Sequence, residues 1–151
     1  MRFVLAIAAA TFFTSCGPAS APVESSKADP TQERWYGETV ARLAGMNREA
    51  ESLYKNGKGD DAAALITKGE SLADRLLDVP QPTLAAMEAV SDLDQLYGRM
   101  LLSNRNYGWA RLLFQKNRAR WKSWKPQTPD TARRLKDAES AIDECDRHLT
   151  E

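Results

Sequence analysis

The chain of 151 residues has room for one domain, and 42% hydrophobic with 28% charged residues is ordinary globular composition, so a packed core requires neither disulfides nor a metal. A formal net charge of zero would normally close the electrostatic question, but the charges are segregated along the chain. Of the two cysteines, one falls in the N-terminal segment; this leaves Cys145 by itself and excludes an internal disulfide framework after processing.

Met1-Arg2 supplies a minimal positive start, and Phe3 to Phe13 is an apolar and small-residue run broken only by Thr11. Such a run is too short for a bilayer, which needs about 20 residues, but it suits the core of a signal peptide. A core helix would alternate apolar with polar positions, and this run does not. It ends in Phe13-Thr14-Ser15-Cys16. That ending resembles the lipobox of bacterial lipoproteins: a bulky apolar residue (Phe13 here, where Leu, Val or Ile is usual), two small residues, and a cysteine that is acylated and becomes the new N-terminus. The resemblance implies a signal peptide over 1–15, a covalent lipid on Cys16 with no other cofactor, and a lipid-anchored protein of the bacterial cell envelope that faces the periplasm. By the same resemblance, Gly17 rather than Asp after the cysteine implies sorting to the outer membrane in a Gram-negative cell. The alternative is cleavage after Ala19-Ser20-Ala21, which has the small-x-small form and yields a secreted protein. Two or three acyl chains supply the multiple signals that stable anchoring requires. Residues 16–28 then form the lipidated cysteine and a flexible tether, rich in Pro, Ala and Ser, with only Val23 able to join a core.

Residues 29–151 carry a helical pattern throughout, with no convincing strand period. Asp29-Pro30-Thr31-Gln32 predicts a helix start, with Asp29 as N-cap, Pro30 in the first position and Gln32 reaching back. Tyr36, Val40, Leu43, Ala50, Leu53 and Tyr54 line one face of a helix over about 31–56, which Asn56-Gly57-Lys58-Gly59 ends. Asp60 or Asp61 caps a second helix over about 60–78, with a stripe of Ala62, Leu65, Ile66, Gly69, Leu72, Ala73 and Leu76. Pro80-Gln81-Pro82 separates the next hairpin. Its first helix, about 83–103, carries Val90, Leu93, Leu96, Tyr97, Met100 and Leu101, an apolar surface wide enough for a central position. Ser103 to Asn106 is a tight polar turn, and the fourth helix, about 106–124, sets Ala110, Leu113, Phe114, Trp121 and Trp124 on one stripe. Thr128-Pro129-Asp130-Thr131 caps the fifth, about 130–149, where Leu135, Ala138, Ile142, Cys145 and Leu149 recur at helical spacing. The fold class is all-α: about five antiparallel helices with short loops, preceded by the signal peptide and tether.

Two hairpins resemble the tetratricopeptide (TPR) unit, which pairs two antiparallel helices with small residues where they touch. Ala50 and Leu53 take the small and large positions of the first helix, Ala62 and Ile66 those of the second. Gly98, Leu101, Ala110 and Phe114 take the same roles in the next hairpin, and Gly57-Lys58-Gly59-Asp60-Asp61-Ala62 resembles the repeat's turn. The resemblance covers Met46–Gly69 and Asp94–Trp121; a helical bundle with similar small-residue contacts is the alternative. Either arrangement puts Ala62 and Ala110 in the core.

The charge block lies late in the chain. Arg105, Arg111, Lys116, Arg118, Arg120, Lys122, Lys125, Arg133, Arg134 and Lys136 are interrupted by one acid, Asp130, and the downstream acids Asp137, Glu139, Asp143, Glu144, Asp146 and Glu151 are answered by Arg147. On the fourth helix Arg111, Arg118 and Lys122 share one face, Lys116 and Arg120 a neighbouring one. Two readings stand open. In the first, the basic helix packs beside the acidic fifth helix with its charges partly paired and otherwise solvated. In the second, Arg111, Arg118 and Lys122 with Trp121 and Trp124 form a candidate binding face for lipid head groups, anionic envelope polymer or an acidic protein. Nucleic acid is not an expected partner, since no recognised motif supports it.

No catalytic or metal-binding candidate emerges. His148, the one histidine, lies a turn from the chain end, so neither a histidine metal cluster nor a Ser-His-Asp arrangement can be built around it; it suits a solvated last turn. Asp60-Asp61 is explained by capping and Asp92 with Asp94 by the polar face of the third helix. Cys145 sits on an apolar stripe as a small hydrophobe. The expectation is a membrane-anchored envelope lipoprotein, not an enzyme, that serves as a protein-interaction module, with a groove between hairpins for a segment of an envelope protein. The alternatives are a structural subunit of an envelope complex, or a binder of anionic polymer or lipid through the basic helix.

Overall fold

The computed structural model describes residues 28–150; the expected signal segment 1–15, Cys16 and all of the expected tether but Ala28 lie outside the described residues. Asp29 does cap, but it caps a single 3-10 turn, Pro30–Gln32, by accepting the Thr31 N–H at 2.9 Å. Gln32 Nε2 donates to the Thr31 hydroxyl at 3.4 Å, and its side chain also acts on the Asp29 carboxylate, as its position suggested. Glu33 then takes extended backbone (φ −77°, ψ 143°), so the α-helix proper, α1, runs Arg34–Lys55. The turn that ends it places Gly57 at φ 75°, the left-handed region where a Cβ is penalised.

Helix α2 spans Gly59–Leu77, and here the expected cap is corrected. The helix begins one residue early, Lys58 holds the cap position without a side-chain bond, and Asp60 and Asp61 lie inside the first turn. There their charges favour the positive end of the helix instead of closing it. Thr83 caps α3 (Leu84–Ser103) by accepting the Ala86 N–H at 3.3 Å. Helix α4 runs Tyr107–Ser123 and α5 runs Pro129–Thr150, with Thr128 Oγ1 accepting the Thr131 N–H at 3.2 Å as its cap. Five α-helices and no strand make up the described residues.

Neighbours in sequence pack as antiparallel pairs: α1 with α2, α3 with α4, and α4 with α5. Helices α1 and α3 instead run parallel, pinned at both ends by tyrosine hydroxyls. Near the starts Tyr36 Oη accepts the Thr83 N–H at 2.9 Å, and near the ends Tyr54 Oη lies 2.7 Å from Ser103 Oγ. Between them Asn47 Nδ2 donates to the Ala89 carbonyl at 2.7 Å. The first core gathers the buried stripes of α1, α2 and α3, including Leu43, Ala62, Ile66, Leu76, Val90 and Leu93. The second gathers Ala110, Phe114, Ile142 and Cys145, with Leu101 and Leu102 of α3 against it. Helix α3 is therefore the central element that its wide apolar surface predicted. Leu149 corrects the stripe of α5, being 52% exposed. Its predecessor His148 stacks on Tyr107, the first residue of α4, which turns Leu149 to the outer side of that last turn.

Helices α3 and α4 approach closely at Gly98. A Cβ added at Gly98 would sit 2.6 Å from Phe114 Cε1 and 2.8 Å from its Cζ, and the ring is fully buried and has nowhere to swing. Gly98→Ala is expected to lower stability by about 1–3 kcal/mol, outweighing the gain of up to about 1 kcal/mol that alanine brings to a helix. Gly37→Ala, on an exposed helical position with nothing within 4 Å, is the control and should stabilise slightly. A urea titration that ranks both variants above the parent would refute the tight crossing.

Candidate functional site

The proposed docking edge on α4 does not survive as drawn. Trp121 is 0% exposed, and its indole N–H donates to Ser91 Oγ of α3 at 2.8 Å while the Arg134 guanidinium of α5 lies 5.4 Å from the ring centroid. The reason is register: Ala110, Phe114, Asn117 and Trp121 fall on one stripe, and that stripe is the buried one. Trp124 is half-buried at the end of the helix, where Gln127 Nε2 donates to the carbonyls of Trp121 and Trp124, each at 2.7 Å. Arg111 is paired with Asp146 of α5. Arg118 and Lys122 are exposed and belong to no ion pair among the described residues. The structure thus parts the tryptophans from the cations instead of uniting them in one face.

Other members of the basic block turn inward. The Arg120 side chain is only 8% exposed; it donates to Asp94 of α3 at 3.0 Å and to Asn117 Oδ1. Asn117 Nδ2 in turn donates to the Ser91 carbonyl at 3.0 Å, which closes a polar network between α3 and α4. Burial raises the Asp94 carboxyl above its ordinary value, with Arg120 opposing the rise. Arg134 spans Asp92 of α3 at 2.6 Å and Asp130 at 3.0 Å. So Asp92 and Asp94 hold arginines of the block, a role beyond the polar face assigned to them. Ser91 and Asn117 were missed by sequence reasoning, although Asn117 stands between Phe114 and Trp121 at core spacing, which is the signal for a buried polar group.

A second feature was less legible. Hollows of about 470 Å³ between α3 and α5, and about 400 Å³ between α1 and α3, share Asp92, Gln95 and Arg99 of α3 in their lining. Together they make one groove across α1, α3 and α5. Its lining is of mixed charge: Arg99 pairs with Glu51 at 3.3 Å, and Arg133 with Asp137 at 3.1 Å. Asn47 borders the α1 side, 7% exposed, and its Oδ1 has no hydrogen-bond partner among the described residues.

His148 is exposed but not simply solvated, since its ring stacks on Tyr107 at 4.5 Å between centroids. Cys145 is buried, and burial pushes its thiol up from the ordinary range. Among the described residues no group of three or more His, Cys, Asp or Glu is placed to hold a metal ion, and no helix is long and apolar enough to cross a membrane. No family model, curated protein or solved structure matches the chain.

Proposed function

We propose that the chain is a non-catalytic interaction module of a lipid-anchored envelope protein, and that the groove across α1, α3 and α5 holds an extended segment of a protein partner. The observation that carries this reading is the pair of adjoining hollows, which share Asp92, Gln95 and Arg99 on α3 and border α1 on one side and α5 on the other. Asp92, Arg99, Arg133 and Asp137 give the lining charges of both signs, polar partners of the kind an extended peptide uses. Support for the anchor comes from Phe13-Thr14-Ser15-Cys16, and intact mass with fatty-acid labelling, Cys16→Ser as control, tests it separately.

Arg99→Glu with Gln95→Lys alters the groove at positions outside the core, so the melting temperature should stay close to the parent's. Affinity capture of the full chain from detergent extracts should then lose a stoichiometric partner that the parent retains. Equal recovery by parent and variant would sink the groove reading while leaving the anchor untouched.

A further inference from the structure

The face of α4 opposite its buried stripe is not the polar surface that an outward helix face normally is. Trp109 is 68% exposed and Leu112 49% exposed, one helical turn apart. With Tyr97 and Leu101 of α3 and Leu113 they line an apolar hollow of about 510 Å³, bordered by Lys116 at one end. None of its lining residues is acidic.

The charge that α4 itself carries is of one sign. Helix α4 holds Arg111, Lys116, Arg118, Arg120 and Lys122 and not one Asp or Glu. Arg111 and Arg120 are neutralised by Asp146 and Asp94. Lys116, Arg118 and Lys122 stay exposed and outside every ion pair among the described residues, and Arg105 is exposed in the turn before the helix. An apolar wedge led by an indole, with exposed cations on the same helix, complements one kind of surface. Indole and leucine enter the zone between head groups and acyl chains, and the cations meet anionic head groups. The geometry points to Trp109, Leu112 and Leu113, with Lys116 on their rim and Lys122 beyond Leu112, as a docking face for an anionic lipid bilayer. This face is separate from the groove and requires neither a groove ligand nor an acyl chain.

The full chain carrying Cys16→Ser, which can accept no acyl group there, is mixed with phosphatidylcholine vesicles with and without phosphatidylglycerol, and binding is read by co-sedimentation. Any partition of the Phe3–Phe13 segment is common to all variants, so the comparison isolates the face. Trp109→Ala with Leu112→Ser is expected to weaken binding to the phosphatidylglycerol vesicles about tenfold or more. Reversing Lys116 and Lys122 to Glu should weaken the preference for the anionic vesicles, and added salt should do the same to the parent. These side chains are exposed, and unchanged melting would separate lost docking from lost folding. The inference is overturned if the Trp109/Leu112 variant binds as the parent does, or if the parent shows no preference for phosphatidylglycerol. It is overturned equally if the double substitution abolishes self-association in sedimentation while vesicle binding is unchanged, because the face then covers a second copy of the chain.

Discussion

Trp121→Ala is expected to remove about 3–5 kcal/mol of stability, read as a lower urea midpoint at unchanged slope. The indole is fully buried where α4 meets α3, beneath the Arg134 guanidinium of α5. Truncation opens a cavity there and also strips Ser91 Oγ, itself on a buried residue, of its donor. Trp121→Phe separates the two effects: it keeps most of the volume and loses the hydrogen bond, so about 1–2 kcal/mol is expected. A Trp121→Ala variant that melts with the parent would restore the docking-edge reading and contradict the core assignment.

Arg120→Met is expected to cost about 3 kcal/mol at neutral pH. Arg120 and Asp94 face each other with side chains 8% and 15% exposed, so removing the guanidinium leaves a carboxylate buried without its counter-charge. The pH dependence follows from the direction of the Asp94 shift. Burial raises its folded value above the ordinary 3.8, so the unfolded chain releases that proton first. Stability tied to this group is highest at low pH and falls as pH climbs through the ordinary value towards the folded one. Without Arg120 the folded value rises further, and the fall becomes deeper. The deficit of Arg120→Met relative to the parent should therefore be widest near neutrality and shrink towards about pH 4. Adding Asp94→Leu should recover most of it, apart from about 1 kcal/mol for the donor that Asn117 Oδ1 also loses. A deficit independent of pH and unrelieved by the second substitution would mean that Arg120 serves something other than Asp94.

Helical spacing made the architecture readable: Leu43, Ile66, Leu93 and Phe114 all lie where their stripes predicted, and Thr128 caps α5 as its position suggested. The candidate face was harder for a physical reason. Periodicity tells which residues share a side of a helix, but long cationic side chains are ambiguous, since their stems pack and their heads find acids elsewhere. Arg120 and Arg134 took that course, reaching Asp94 and Asp92, 26 and 42 residues away. Trp121 was placed on the apolar stripe and also on a docking edge; the structure retains only the first. Trp109 and Leu112 were passed over because they fall off the stripe, although two large apolar residues one turn apart on an otherwise basic face were visible in the chain. A groove between hairpins was expected, but its lining was not legible, because α1 and α5 come to border it only through packing around α3.

The two cores have a consequence for how the molecule opens. Helix α5 meets the rest of the fold chiefly through α4, whereas α3 is bonded on both sides, to α1 by Tyr36, Asn47 and Tyr54 and to α4 by Asn117, Arg120 and Trp121. Stability is thus graded along the chain, and amide protons of α5 exchange through a smaller excursion than those of α3. Cys145 lies on the inner side of α5, its thiol shielded from solvent. Its reaction with a thiol reagent becomes a clock for the peeling of the last helix while the α1–α2–α3 core remains closed.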